Sequence, residues 1–284
     1  MAMRILIIGS TSSLCAGLAP TLSTFAEVYT AGRKCGDIAL DLTDVNTSAH
    51  IPENLDLVIN TAAHFGGTGF HDYLDAMRVN VAGMLSLLNL CKKAKTKWFM
   101  QISSIYALLD SASPYFSIYS LTKKHADEIA GHFCSAHAIP LTVLRPAPIY
   151  GNDDRFRKHQ PFFYTMIDKA EKGEDINIYG TRDAKRNYIH IEDLVAVIQR
   201  VAQQQLYGLY ACTHTMDTTL SGIADVAYGV FARGGNWVFN HDKPDIPDNV
   251  FPADHSLYEK LHYYPQISIE EGITLMSEYR KRLA

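Results

Sequence analysis

An α/β fold built on a doubly wound parallel sheet is the class this sequence predicts, and three observations predict it. Short runs that are apolar at nearly every position, such as Ile5–Ile8 and Leu57–Ile59, alternate with longer stretches of helical spacing. Strands of that kind belong in a sheet covered on both faces. The alternation itself calls for parallel strands joined by right-handed crossovers. The first run also stops at Gly9 and passes directly into a helical pattern, the strand–turn–helix unit that opens such sheets.

The elements follow in order. Ile5–Ile8 is a buried strand, and Leu14–Leu22 has helical spacing, with Pro20 predicted to kink that helix or end it early. Glu27–Thr30 and Ile38–Leu40 are two further short strands, and Leu57-Val58-Ile59-Asn60 is a clear one. Tyr73–Ala94 forms a long amphipathic helix with Leu74, Met77, Val81, Leu85, Leu88 and Cys91 on one stripe. Trp98–Ile102 is a strand, Tyr119–His137 a helix and Leu141–Leu144 another strand. After Tyr150 glycine, proline and charge become denser and the pattern less regular, until Ile189–Ala202 returns to strand-then-helix and Leu209–Cys212 supplies a last strand. The chain therefore divides into a Rossmann nucleotide-binding domain, residues 1–150 with about 187–213, and a small C-terminal substrate-binding lobe, about 151–186 and 214–284.

Composition narrows the class of function. With 284 residues and 47% apolar content the chain has enough material for a full core. A net charge of −4 with dispersed cations argues against nucleic acid as a partner. The five cysteines stand far apart with no Cys-x-x-Cys pair, which fits reduced thiols. The first apolar run is too short for a signal peptide, and no stretch approaches the about 18 apolar residues of a membrane span. The expectation is a cytoplasmic protein without a membrane partner. Twelve histidines form no metal-binding motif, and no Gly-x-Ser-x-Gly elbow points to hydrolysis.

The turn after the first strand reads Gly9-Ser10-Thr11-Ser12-Ser13-Leu14-Cys15. In a dinucleotide site the backbone N–H groups of the opening helix face the pyrophosphate, helped by the helix dipole. Gly9, Thr11, Ser12, Ser13 and Leu14 are the candidates for that contact, with Ser12 able to donate from both its main chain and its hydroxyl. Taken alone, the turn reads equally as an ordinary β–α connection. The end of the second strand, Tyr29-Thr30-Ala31-Gly32-Arg33-Lys34, has no acid and two cations. A carboxylate there would bind ribose hydroxyls, whereas Arg33 suits a 2′-phosphate, so NADP(H) is favoured and NAD(H) stays possible.

Tyr119-Ser120-Leu121-Thr122-Lys123 sets a phenol and an ammonium on one helical face. A free tyrosine has a pKa of about 10 and is a poor base at neutral pH. A neighbouring ammonium favours the phenolate and equips the tyrosine to exchange a proton at a carbinol oxygen. Gln101-Ile102-Ser103-Ser104 ends a central strand at the edge where open α/β sheets bind ligands. Ser104 is the candidate hydroxyl partner, with Ser103 the alternative.

These residues, with four further blocks, resemble the extended short-chain dehydrogenase/reductases, the NAD-dependent epimerase/dehydratase family. The blocks are Val58-Ile59-Asn60-Thr61-Ala62-Ala63-His64, Val79-Asn80-Val81-Ala82-Gly83, Leu144-Arg145-Pro146-Ala147-Pro148-Ile149-Tyr150-Gly151 and Arg186-Asn187-Tyr188-Ile189-His190-Ile191-Glu192-Asp193-Leu194. The resemblance implies a nucleotide-sugar substrate and catalysis by Ser104, Tyr119 and Lys123, with Lys123 also holding the nicotinamide ribose. It further implies that Thr61, Ala62 and Ala63 line the cofactor, that Asp41 and Leu42 lie beside the adenine, and that Arg186 pairs with the substrate diphosphate. Asn80 is expected to satisfy backbone groups rather than to catalyse, and Gly66-Gly67-Thr68-Gly69 to form a loop near the nicotinamide or a plain flexible turn. His64 is expected to make a structural hydrogen bond, and His125 and His132 to face solvent or a dimer partner.

The departures from the family pattern also inform. Where family dehydratases have an Asp-Glu pair after the active-site hydroxyl, this chain has Ile105-Tyr106, which argues against 4,6-dehydration. Only Gly9 remains of the family's three turn glycines, and Pro148 replaces a customary asparagine. The remaining chemistry is reduction of a 4-keto sugar or C4 epimerisation. The resemblance also implies a homodimer through the Tyr73–Ala94 and Tyr119–His137 helices. Two alternatives stay open, a non-catalytic sensor or scaffold and a reductase of a non-sugar carbonyl.

Overall fold

The computed structural model describes residues 2–44 and 49–283. The chain folds as two compact units, Met1–Pro146 with Val195–Cys212, and Ala147–Leu194 with Thr213–Ala284.

In the first unit β1 (Met3–Ile8) leads into α1 (Ser13–Leu22), followed by β2 (Ala26–Gly32), β3 (Ile38–Ala39) and β4 (Leu57–Asn60). Leu6, Ile8 and Val58 are fully buried and share a core with Leu87, Leu88 and Cys91 of one covering helix, the environment that continuous apolar runs require. Helix α1 continues past Pro20 and ends at Leu22. The expected early stop does not occur, because the proline sits in the last turn, where the missing N–H removes one hydrogen bond and little else.

The predicted long helix starts earlier than its apolar stripe suggested, and the stripe does not keep to one face: Met77 and Leu85 are exposed, whereas Leu88 and Cys91 are buried. It comprises α2 (Phe70–Ala76), a π-helical segment Met77–Gly83 and α3 (Met84–Lys93). Such wide turns are rare and mark functional sites. After β5 (Phe99–Ile102) a 3-10 turn covers Ile105–Leu108, and α4 (Ile118–Ala136) and β6 (Leu141–Pro146) complete this stretch.

The second unit begins with β7 (Ile149–Tyr150) and continues through α5 (Pro161–Lys172), β8 (Ile176–Tyr179), β9 (Lys185–Arg186) and β10 (Ile189–His190). Helix α6 (Ile191–Gln204) carries the chain back to the first unit from Val195 onward, and β11 (Gly208–Cys212) belongs to that unit. The second unit closes with β12 (Thr218–Thr219), α7 (Leu220–Phe231), β13 (Trp237–Asn240), α8 (Ser256–Leu261) and α9 (Ile269–Leu283). Residues 147–150 and 187–194 were expected in the nucleotide-binding domain and fall in the second unit. The reason is local: β10 pairs with β7, Ile189 against Ile149, and not with the main sheet.

The main sheet has the order β11-β6-β5-β4-β1-β2-β3, and all of its pairings are parallel. The strand order reverses between β1 and β4. Ligands of open α/β sheets bind outside the carboxyl ends of the strands at such a switch point. The first-unit candidates Gly9, Thr61 and Ser104 all follow strand ends there. A separate core fills the second unit, with Tyr150, Tyr164, Ile167, Ile223 and Met276 buried.

Candidate active site

The turn after β1 is tight because Gly9 adopts φ +96°, and a Cβ on it would lie 2.8 Å from Thr61 Oγ1 and 3.0 Å from the Ala62 nitrogen. A side chain is therefore excluded, and the turn lies flush against the end of β4. Thr61 is tied down in the same place, its hydroxyl donating to the Ile8 carbonyl at 2.7 Å and meeting Ser12 Oγ at 2.8 Å. Ser12 is the N-cap of α1, accepting from the Cys15 N–H at 3.0 Å. Its own N–H goes to the Gly9 carbonyl at 2.8 Å. The expectation that the Ser12 main chain donates to phosphate is thus corrected: that N–H closes the turn. The N–H groups of Ser13 and Leu14 open the helix without intrahelical acceptors, as any first turn does. Cys15 is buried against the sheet, which pushes its thiol up to about 11. A glycine-closed turn facing a helix N-terminus fits a dinucleotide pyrophosphate.

At the end of β2, Arg33 and Lys34 are exposed. The sequence pattern missed Asp37, which folds back so that its carboxylate accepts from the Thr30 N–H at 2.8 Å and hydroxyl at 3.0 Å. Asp41 accepts from the N–H and hydroxyl of Thr43, and Leu42 is buried, its carbonyl facing Gly83 of the π segment.

The strand ends next to the turn are fixed by a buried amide pair. Asn60 Nδ2 donates to Gln101 Oε1 at 2.9 Å, and Asn60 Oδ1 accepts from the Ala62 N–H at 3.2 Å. Beyond Ala63 the chain is held by Asn80. Its Oδ1 accepts from the His64 N–H at 2.8 Å, and its Nδ2 donates to the His64 carbonyl at 2.8 Å and to Thr122 Oγ1 at 2.9 Å. The π segment projects Asn80 inward to make this clasp, the backbone role predicted for it. His64 makes a structural bond as well, its Nδ1 accepting from the Gly66 N–H at 3.0 Å. His132 is exposed and His125 half-buried.

Ser104, Tyr119 and Lys123 converge. Ser104 caps the 3-10 turn, its hydroxyl accepting from the Tyr106 N–H at 3.2 Å. Lys123 is 2% exposed, donates from Nζ to the Ile102 carbonyl at 2.9 Å, and lies 5.9 Å from the centre of the Tyr119 ring. Burial pulls its ammonium down to about 8, against the opposing attraction of Asp127. Burial likewise raises the Tyr119 phenol above its ordinary value, and the Ser104 side chain, as a hydrogen-bonding neighbour, pulls the other way. Ser103 points elsewhere. Its hydroxyl acts electrostatically on Asp127, yet among the described residues Ser103 Oγ and Asp127 Oδ1 are both buried without a partner of normal hydrogen-bond geometry. The other Asp127 oxygen accepts from Arg145 Nε at 2.8 Å.

Several of these residues escaped the sequence analysis. Asp127 lies one helical turn beyond Lys123, a spacing that is visible in the sequence, but its burial is not. Phe65 stacks on Tyr119 with ring centres 4.9 Å apart and planes 14° from parallel. Arg186 belongs to the second unit, where it is buried and donates from Nη1 to the carbonyls of Lys185 and Pro247 at 2.7 and 2.8 Å. Among the described residues there is no cluster of three or more metal-ligating side chains, and no helix is long and apolar enough to cross a membrane.

Known proteins resemble this chain in sequence and in fold. CDP-abequose synthase of Salmonella typhimurium is 29% identical over 211 residues, 72% of this chain and 69% of that protein. Other curated relatives align over 55% and 39% of their own lengths. UDP-glucuronic acid 4-epimerase from Bacillus cereus, solved with NAD and a fluorinated UDP-sugar, superposes with a TM-score of 0.79 at 17% identity, covering 99% of this chain and 100% of that one. RMD from Pseudomonas aeruginosa, complexed with NADPH, gives 0.78 at 16% identity, with 99% of each chain covered. Residues 6–210 match the model of the NAD dependent epimerase/dehydratase family. The chain belongs to that family, the nicotinamide-dependent enzymes of the extended short-chain dehydrogenase/reductase type.

Proposed function

We propose that this enzyme reduces a 4-keto nucleotide sugar, or epimerises one at C4, with Tyr119 as the proton-transferring residue. One observation carries the reading: a half-buried phenol has a hydroxyl partner, Ser104, and a buried cation, Lys123, within reach of its ring. The nicotinamide cofactor, when bound, supplies or accepts the hydride. Gly9, Thr11, Ser12, Ser13, Leu14, Thr61, Ala62 and Ala63 would hold it, with Asp41 and Leu42 beside the adenine and Lys123 at the ribose. For Ser12 the contact left to make is through its hydroxyl.

At neutral pH the phenol of Tyr119 is protonated, so Tyr119 Oη is equipped to donate to a ketone oxygen. Lys123 and Ser104 then stabilise the phenolate left behind. The reverse direction uses the same atoms, with the phenolate accepting the carbinol proton. Burial keeps the proton on Tyr119 at neutral pH, the form in which a reduction begins. The absence of a carboxylate pair at Ile105-Tyr106 supports a reductase or epimerase over a dehydratase. The exposed Arg33 and Lys34 favour NADP(H), and Arg186 is a forked, permanent cation suited to a diphosphate. A homodimer would use the outward stripe of Phe70, Tyr73, Met77 and Leu85, all exposed.

Turnover tests the assignment directly. NADPH and NADH are first titrated by calorimetry, and reduction is then followed with CDP-, dTDP- and UDP-linked 4-keto sugars. Tyr119→Phe should bind cofactor nearly as the native protein does and lose roughly a hundred- to ten-thousandfold in turnover, as for removal of a general acid. Turnover that survives in Tyr119→Phe would remove Tyr119 from its role. Failure of both cofactors to bind would favour the scaffold alternative.

A further inference from the structure

The segment after Ala63 is a loop by sequence, yet its middle residue is held between two fixed points. On one side, both backbone groups of His64 are clasped by Asn80 at 2.8 Å each. On the other, Gly66 has φ +76°, and a Cβ there would lie 2.4 Å from Ile118 Cγ2, at the first residue of α4. The Gly66 N–H also donates to His64 Nδ1 at 3.0 Å. Between these anchors stands Phe65, 47% exposed, with its ring stacked on Tyr119. So held, Phe65 covers a face of the proposed proton-transferring ring.

We propose that Phe65 is a positioning residue, which holds the plane of the Tyr119 ring and keeps water from one of its faces. The inference rests on the reading of Tyr119 as acid/base. Stacking with offset, near-parallel planes restrains the ring's rotation about its side-chain bonds, and so aims the hydroxyl that must meet the substrate oxygen. Excluding water from the ring disfavours the phenolate and keeps the proton on Tyr119 until substrate arrives. The other groups that act on the phenol are known. Lys123 and Asp127 lie on its own helix, and Ser104 and Tyr106 on the segment after β5. His64, on the Phe65 loop, has Nδ1 occupied by Gly66. None of these takes the place of an apolar cover, so the effect of removing Phe65 is separable from theirs.

The test uses the full chain labelled with 13C at the tyrosine Cζ, with the Tyr119 signal identified by its loss in Tyr119→Phe. At pH 7 a neutral soluble paramagnet reads solvent access to that ring. Phe65→Ala should at least double the paramagnetic relaxation of the Tyr119 signal. It should also move the ionisation of Tyr119 at least tenfold toward acid, while Phe65→Tyr restores the native behaviour. Phe65→Leu, which keeps apolar bulk without the flat ring, falls between and serves if the alanine variant does not fold. Relaxation unchanged in Phe65→Ala or Phe65→Leu overturns the inference. This outcome is independent of turnover in Tyr119→Phe, so failure of the cover and failure of the acid/base assignment are told apart.

Discussion

Replacing Lys123 with methionine should stabilise the cofactor-free protein at neutral pH, and the gain should fade as pH rises. Lys123 is 2% exposed, and its ammonium falls from 10.5 to about 8 through burial. A lysine whose pKa is lowered on folding binds its proton less well in the native state than in the unfolded one. Below pH 8 the native protein bears the whole cost of keeping the charge buried. Between pH 8 and 10.5 the native amine is neutral while the unfolded one is still protonated, so stability rises with pH. The gap between the two values corresponds to about 3 kcal/mol. Methionine fills a similar volume without charge, but it leaves the Ile102 carbonyl without its donor, at about 1 kcal/mol. Lys123→Met should therefore be about 2 kcal/mol more stable than the native chain at pH 7, and that advantage should shrink by about 2 kcal/mol by pH 10. Urea unfolding of both proteins at pH 7, 8, 9 and 10 measures the difference, since groups common to both cancel. A difference independent of pH, or one that grows toward pH 10, would refute the burial argument. The same variant should lose turnover, which would show that the cost is borne for chemistry.

Two further outcomes follow from the site and the surface. Asn80→Ala removes both clasps on His64 and should cost about 3 kcal/mol, two part-buried backbone groups losing their partners, with denaturant midpoints as the readout. Because the clasp also anchors Phe65, this variant should loosen the Tyr119 ring in the labelled spectrum. Leu85→Arg, on the exposed stripe of α3, should shift a dimer toward monomer in light scattering without changing the circular dichroism spectrum; an unchanged mass would place any subunit contact elsewhere.

The sheet was legible because its strands are apolar at successive positions and its helices carry periodic stripes. That contrast survives without any tertiary information, since burial on both faces demands it. That Ser104, Tyr119 and Lys123 would lie together was legible for a related reason, as a strand end and a four-residue helical spacing are local features. Pro20 and the start of the long helix were misjudged at their ends, where one missing hydrogen bond or one further turn of Phe70–Asp72 changes little in the pattern.

What the sequence determined alone is thus the layering of the first unit, the order of its elements and the chemical types at the strand ends. Tertiary structure decided the rest. It directed Ser104 to Tyr119 and Ser103 toward Asp127, although the two serines are adjacent, because successive residues leaving a strand face opposite ways. It turned Asp37 back onto Thr30, assigned β7 and β10 to each other, and set Phe65 on Tyr119 across a gap in sequence that no periodicity spans. Each of these depends on contacts between residues far apart in the chain or on one side chain's direction. Such contacts exist only once the chain has closed around its core, and their energies are not encoded in any one segment.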